Sequence, residues 1–404
     1  MINLIETVRW DSVLIDDWLL ELLWAAGRFF IHPLFYLFFL FTFAYGYLRV
    51  KQERKSFHIR VFDIYNEMKF TYTKGIVLGL IVSVVSFALG LSLPFGTVVL
   101  MAIITAVIGL TFQLRWLSAA FTVGLTLLAA TFIPDGSFFV GLSETSFASL
   151  SILAALLVIA EGILIFRTAH IQTSPFLKTS TRGLPIGNHQ AKRTWMLPLL
   201  LLVPGGSLTS SLPWWPVLSI NGEPFLLLFI PFFLGFHQRV QGSLPKESMK
   251  VTGERVIWLG VLTLLMAVAS IWFAPAAFIA VFVAMVGREF ITIRQRLNDD
   301  SAAFYFSKRD HGLMILGILP HSPAEKMTLQ VGEMVTKVNG YAVKTVDEFY
   351  QALQKNRAFC KLEVINFNGE IRYAQRALYD GEHHELGILF VQDGKKKWEN
   401  ETAV

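Results

Sequence analysis

Up to about residue 291 the chain is a succession of continuous apolar runs, each of about twenty residues, separated by short polar loops. The runs extend from Phe29 to Leu48, Gly75 to Ser92, Phe95 to Phe112, Trp116 to Ile133 and Phe147 to Phe166, then from Trp195 to Leu212, Val217 to Phe236, Val256 to Phe273 and Pro275 to Phe290. Each is long enough to cross a hydrocarbon core, so the pattern predicts a polytopic α-helical membrane protein with about 8–10 spans over residues 29–291. Only Ala274 and Pro275 separate the last two runs, which therefore also fit one long tilted helix. Ahead of the first run, residues 1–28 carry apolar positions interrupted by Asp16, Asp17 and Glu21. That spacing predicts an amphipathic helix lying at the interface.

From about Ser301 the period changes to short alternating strands with turn residues, which predicts a soluble α+β domain over residues 300–395. Strands are expected at Leu313–Leu319, Glu333–Val338, Phe359–Ile365 and Ile371–Leu378, with a tight turn at Asn339-Gly340. Ser322 and Thr345 are placed to cap two helices, the second running from Val346 to Leu353 with Asp347 and Glu348 in its first turn.

Composition agrees with a membrane class: 54% of the residues are hydrophobic, 16% are charged, and the mean hydropathy is +0.53. The net charge of +5 does not indicate a nucleic-acid partner, because the basic residues lie in loops between apolar runs, where membrane lipids and orientation account for them. Arg49–Lys74, Arg167–Thr194, His237–Arg255 and the stretch after Arg288 are rich in Lys and Arg, whereas Pro134–Thr145 and Pro213–Pro224 have neither. The positive-inside rule then puts the basic loops and the C-terminal domain in the cytoplasm. No cleavable signal peptide is expected, since the opening residues are acidic where such a signal is basic. The single cysteine, Cys360, lies in a strand alternation and is expected to be a packed core residue.

Candidate chemistry is sparse. Gly75 and Gly79 make a GxxxG spacing suited to close packing within the monomer, and Pro198, Pro204, Gly205 and Gly206 predict a kinked span, a feature that transporters also use. Glu161, near the cytoplasmic end of its run, reads either as a functional intramembrane carboxylate or as an interfacial residue pairing with Arg167. No H-E-x-x-H metal motif, phosphate loop or dinucleotide fingerprint is present. Pro134-Asp135-Gly136 and His383-His384-Glu385 lack the partners that a metal site needs. The expectation is therefore no catalytic residue, no cofactor and no metal site.

The segment from His311-Gly312-Leu313-Met314-Ile315 through Ser322-Pro323-Ala324-Glu325-Lys326 to Val331-Gly332-Glu333 and Val338-Asn339-Gly340 resembles a PDZ domain of the bacterial type. The resemblance implies partner recognition in a groove. One wall would be Val346, Phe349, Tyr350 and Leu353; the other would be either Ala303, Phe304, Tyr305 and Phe306, a stretch without glycine, or Leu386, Gly387 and Ile388. Together with Gly27-Arg28-Phe29-Phe30-Ile31-His32-Pro33 and the run from Gly46 to His58, the whole chain resembles the MinJ family of division-site adaptors of Bacillus-type bacteria. That resemblance implies a non-enzymatic scaffold for septum-site selection, enriched at septum and poles, that bridges a DivIVA-like scaffold to a MinD-like ATPase. The competing reading is a transporter, or a PDZ-containing regulator of a membrane protease.

Overall fold

Pro33, with its φ preset for a helix and no amide to satisfy, opens the first long apolar helix, and the His32 side chain accepts from the Leu34 N–H at 3.2 Å. In the computed structural model, residues 2–133, 144–180, 182–209, 215–216, 218, 224–356, 358–379 and 386–391 are described. The elements of the membrane part are α1 (Ile2–Ile31), α2 (Pro33–Phe57), α3 (Asn66–Phe70), α4 (Ile76–Ala88), α5 (Phe95–Leu110), α6 (Ala119–Phe132), α7 (Glu144–Leu164), β1 (Ser174–Thr179), β2 (Pro185–Leu208), β3 (Phe225–Val240), α8 (Pro245–Ala269) and α9 (Pro275–Ser301).

Among the described residues five helical segments are long and apolar enough to cross a membrane: Pro33–Phe57, Asn66–Ala88, Thr145–Ala169, Pro245–Ala269 and Pro275–Ser301. The chain is a multi-pass membrane protein. Side chains such as Val84, Trp258, Leu265 and Phe282 stand well exposed on these helices, as lipid-facing residues do. The last two apolar runs are two helices, with the chain turning at Ser270–Ala274. Helix α1 continues to Ile31 and packs on the bundle from Trp18, whose ring meets Phe87, Trp215 and Phe225.

The runs expected as spans from Trp195 and from Val217 are instead the two strands of one hairpin. β2 and β3 pair antiparallel from His189↔Val240 to Val203↔Leu226, and β1 adds to β2 only between Pro185 and Gln190. Both faces of the hairpin are buried along most of its length, so its sequence has no alternation, and a strand buried on both faces reads like a helical run. Prolines explain the choice: Pro198 stands opposite Pro231, positions at which a helix would lose hydrogen bonds and clash. The predicted kinked helix at Pro204 is thus a strand, and the feature that suggested a transporter is removed.

A hairpin in an apolar surround must satisfy its outer edges. On the β2 side, Ser83 Oγ donates to the Pro198 carbonyl at 2.7 Å and accepts from the Leu200 N–H at 2.9 Å. The Leu93 N–H reaches the Leu202 carbonyl at 2.9 Å. On the β3 side, the Gly235 N–H donates to the Leu117 carbonyl at 2.9 Å, and Arg28 donates to the Leu227 carbonyl at 3.0 Å. Gly75 and Gly79 serve this packing: a Cβ at Gly79 would lie 2.5 Å from Pro198 Cδ and 2.8 Å from Leu197 Cα. The close approach is within the monomer, as expected, but its partner is a strand.

Glu161 does not pair with Arg167. Its Oε1 accepts from Arg288 Nε of α9 at 2.8 Å, and its Oε2 accepts from Ser118 Oγ at 2.5 Å and the Ala119 N–H at 3.1 Å. One carboxylate thus neutralises an arginine on one helix and caps the amino end of another, which draws α6, α7 and α9 together.

The C-terminal part comprises β4 (Leu313–Ile318), α10 (Pro323–Lys326), β5 (Met334–Val338), β6 (Tyr341–Ala342), α11 (Val346–Gln354), β7 (Phe359–Ile365), β8 (Ile371–Ala377) and β9 (Ile388–Phe390). Its sheet runs β8-β7-β5-β4-β9, with β6 paired to β5. Asn339 and Gly340 both have positive φ, and Thr345 forms a reciprocal capping box with Glu348. The backbone N–H bonds that Glu348 accepts hold its carboxyl below the usual range. Cys360 is fully buried, and burial pushes its thiol up to about 12.

Replacing Arg288 with Leu strands the Glu161 carboxylate and is expected to cost about 3–5 kcal/mol. Denaturation of the solubilised chain measures this, and the Glu161→Gln, Arg288→Leu double variant should recover part of the loss.

Candidate functional site

The turn at Gly387 begins the candidate groove. Its φ is +78°, a conformation open to glycine, and a Cβ there would overlap Ser322. The Leu386 carbonyl accepts from the Ala324 N–H at 3.0 Å and the Gly387 carbonyl from the Leu319 N–H at 2.8 Å. Both carbonyls are thus tied to the β4–α10 connection, and the turn leads directly into β9, whose Ile388, Leu389 and Phe390 pair with β4. The amphipathic helix α11 lies across this strand, with the Phe349 and Phe390 rings edge to face at 5.1 Å between centroids. Phe349, Leu353 and Leu386 are completely buried in the domain core, whereas Val346 and Tyr350 pack against that core and stay partly exposed. Leu386, Gly387, Ile388 and the α11 residues are therefore brought together. Chemically, this arrangement is an edge strand beside an apolar helix face, with a glycine turn at one end, and it suits addition of an extended peptide.

Ala303, Phe304, Tyr305 and Phe306 lie elsewhere. The Tyr305 N–H donates to the Gln241 carbonyl at 2.9 Å, and the Phe306 carbonyl accepts from the Gly187 N–H at 2.8 Å. Phe306 is fully buried in a cluster with Met314, Leu316 and Val391, while Ala303 and Phe304 are exposed. This stretch fastens the domain to the base of the hairpin, on the sheet face opposite α11. It has no glycine because it makes no tight turn at a ligand.

That back face is a second feature of the site. Odd-numbered Leu313 and Ile315 of β4 enter the domain core, and even-numbered Met314 and Leu316 point at the membrane part. Leu389 of β9 packs on Val61 and Phe62, and a Cβ on Gly317 would lie 3.0 Å from Pro175. Sequence reasoning did not identify these docking residues. The available signals were the apolar residues at both parities of Leu313–Ile318 and the apolar Ile59, Val61 and Phe62 inside an otherwise basic loop.

The docking loop is held by buried charges. Glu53 Oε2 accepts from the Val61 and Phe62 N–H groups at 2.9 and 3.2 Å, and Glu53 Oε1 accepts from Ser174 Oγ at 2.7 Å. Arg49 pairs with Glu53 and with Glu67, and Arg193 donates to both oxygens of Glu67 at 2.8 and 2.6 Å. Two arginines and two glutamates balance, so the cluster is buried without net charge. Next to it, His189 is buried with Nδ1 2.9 Å from Thr173 Oγ1 and its ring against Phe306. Burial lowers its pKa from 6.5 to about 4, opposed in part by the nearby Leu316 and Thr173 backbone.

Among the described residues no cluster of three or more His, Cys, Asp or Glu side chains is placed to hold a metal. Pro134-Asp135-Gly136 and His383-His384-Glu385 lie outside the described residues.

Two outcomes are expected. Gly387→Ala should unfold or distort the β9 turn while membrane insertion persists, read as lost peptide-groove protection in hydrogen exchange. His189 stays neutral in the fold, so the stability it contributes is complete above the unfolded value of 6.5 and is lost as pH falls towards the folded value of about 4, a change of about 3 kcal/mol. The protection factors of amides 306–316, corrected for the intrinsic pH dependence of exchange, should fall on going from about pH 7 to about pH 5, and His189→Gln should flatten that response.

Comparison with known proteins agrees with this architecture. A PDZ domain family model matches residues 314–366. The chain is 51% identical over 386 residues to the cell division topological determinant MinJ of Bacillus subtilis (strain 168), covering 94% of this chain and 97% of that protein. It is 26% identical over 361 residues to the probable cell division topological determinant MinJ of Lacticaseibacillus paracasei, covering 85% of this chain and 92% of that one. A multi-pass helical membrane part carrying a PDZ domain, together with this identity over nearly the full length, means that the chain belongs to the MinJ family of cell division topological determinants.

Proposed function

We propose that this protein is a non-enzymatic membrane adaptor that helps to place the division septum by joining a DivIVA-like scaffold to a MinD-like ATPase. The observation that carries the reading is the mounting of the PDZ domain: its back face is fastened to the membrane part while the α11–β9 side, with partly exposed Val346 and Tyr350, faces away from that mount. A recognition domain held in this way is confined to the bilayer surface, which raises the local concentration of partners and lets individually weak contacts suffice.

Orientation supports the same reading. The hairpin returns the chain to the side it left, as two spans would. The basic loops after α2, before β2 and before α8 then stay on one side together with the PDZ domain, and the positive-inside rule makes that side the cytoplasm. Both proposed partners would be met there.

A fluorescent fusion should gather at septa and poles, and deletion of residues 301–404 should abolish capture of at least one of the two partners without preventing insertion. Uniform membrane fluorescence through the cell cycle would rule out the septal role. Pull-downs with the membrane part alone and with the full chain separate the contribution of the PDZ domain from that of the loops.

A further inference from the structure

We propose that the cleft between the amino end of α8 and the PDZ sheet is a binding site for a phosphate group. The cleft has a volume of about 540 Å³, within the range of small-molecule sites. One wall is built from the membrane part and carries Lys246, Lys250, His170 and His189; the other is built from the PDZ domain around Gly317, Ile318 and Gln330.

Four features of the first wall favour an anion. Lys246 and Lys250 lie one turn apart on α8, and among the described residues neither forms an ion pair; Lys250 Nζ lies 5.4 Å from the Phe166 ring centroid. Leu244 occupies the N-cap and supplies no side-chain acceptor; Pro245 has no N–H and the Ser248 N–H donates to the Leu244 carbonyl at 3.2 Å, so the amides of Lys246 and Glu247 are the first-turn donors left to an anion, with the helix dipole behind them. His189 is 1% exposed, and its Nε2 has no hydrogen-bond partner although Nδ1 is engaged by Thr173. His170 Nδ1 is also without a partner, and the pKa of His170 is lowered by burial first and then by the charges of Lys250, Lys246 and Arg193.

Two carboxylates also face the cleft. Glu325 is turned towards its own loop, accepting from the His321 N–H at 2.6 Å. Glu247 opposes anion binding directly. The second wall is mostly apolar, with Ile318, Leu329 and Phe367, so the ligand would carry an apolar body next to its phosphate. From Lys246 to Val256, where the continuous apolar run of α8 begins, the helix rises about 15 Å. That height lies beyond the usual headgroup layer and favours a soluble phosphate compound over a lipid. Because both walls contribute, occupancy would strengthen the mount of the PDZ domain on the membrane part.

The test uses the full chain with pyrophosphate as probe, by calorimetry in detergent micelles, and thermal stability in phosphatidylcholine nanodiscs with and without phosphatidylglycerol. Saturable pyrophosphate binding is expected, weakened at least about tenfold by Lys246→Gln with Lys250→Gln and tightened by Glu247→Gln. Lys337→Gln, on a PDZ strand away from the cleft, should leave it unchanged. Stabilisation that requires phosphatidylglycerol and disappears in the double lysine variant would assign the phosphate to a lipid headgroup. The proposal is overturned if neither probe gives a saturable response, or if the double lysine variant, folded with an unaltered melting temperature, binds as well as the native chain.

Discussion

The buried cluster of Arg49, Glu53, Glu67 and Arg193 is the constraint on which the rest of the structure depends. It joins the polar end of α2, the short helix α3 and the base of β2, and it does so where none of the four charges can return to water. Removing one partner from such a group leaves an unpaired buried charge, a cost of several kcal/mol, so the four are held in register with one another. The consequence reaches beyond the cluster. Glu53 also holds the Val61 and Phe62 amides, and those two side chains form the seat for Leu389 of the PDZ domain.

The same requirement for satisfied polar groups shapes the membrane part. A β-hairpin within a helical bundle is tolerated only because each exposed edge finds a donor or acceptor. Ser83, Arg28, Leu93 and Leu117 provide them. Glycines at the contact surfaces let the backbones approach: Gly162, Gly253 and Gly260 bring α7 against α8, and Gly79 brings α4 against β2. Glu161 and Arg288 close the assembly at a third point, one pair of charges joining three helices.

The PDZ domain inherits its position from this framework. β4 is buried on both faces, one against the domain's own core and one against the membrane part, whereas β8 at the far edge has its alternate residues exposed. This asymmetry separates the two uses of the sheet. The β4–β9 back face serves attachment, and the α11 side of the sheet is left free of the membrane part.

The sequence by itself determined the class, the family resemblance, the division into apolar runs and a soluble domain, and most elements of that domain, because hydrophobic period, capping residues and turn glycines are local signals. Ser322, Thr345 and Asn339-Gly340 act where they were expected to act. Only the tertiary structure decided whether the runs after Trp195 and Val217 are helices or strands, since burial on both faces erases the period that tells them apart. It also decided the partner of Glu161, which is Arg288, 127 residues away in the chain, and which of the two candidate segments, 303–306 or 386–388, stands beside α11. Those outcomes depend on which distant surfaces meet, and neither spacing nor composition along a chain encodes such a meeting directly.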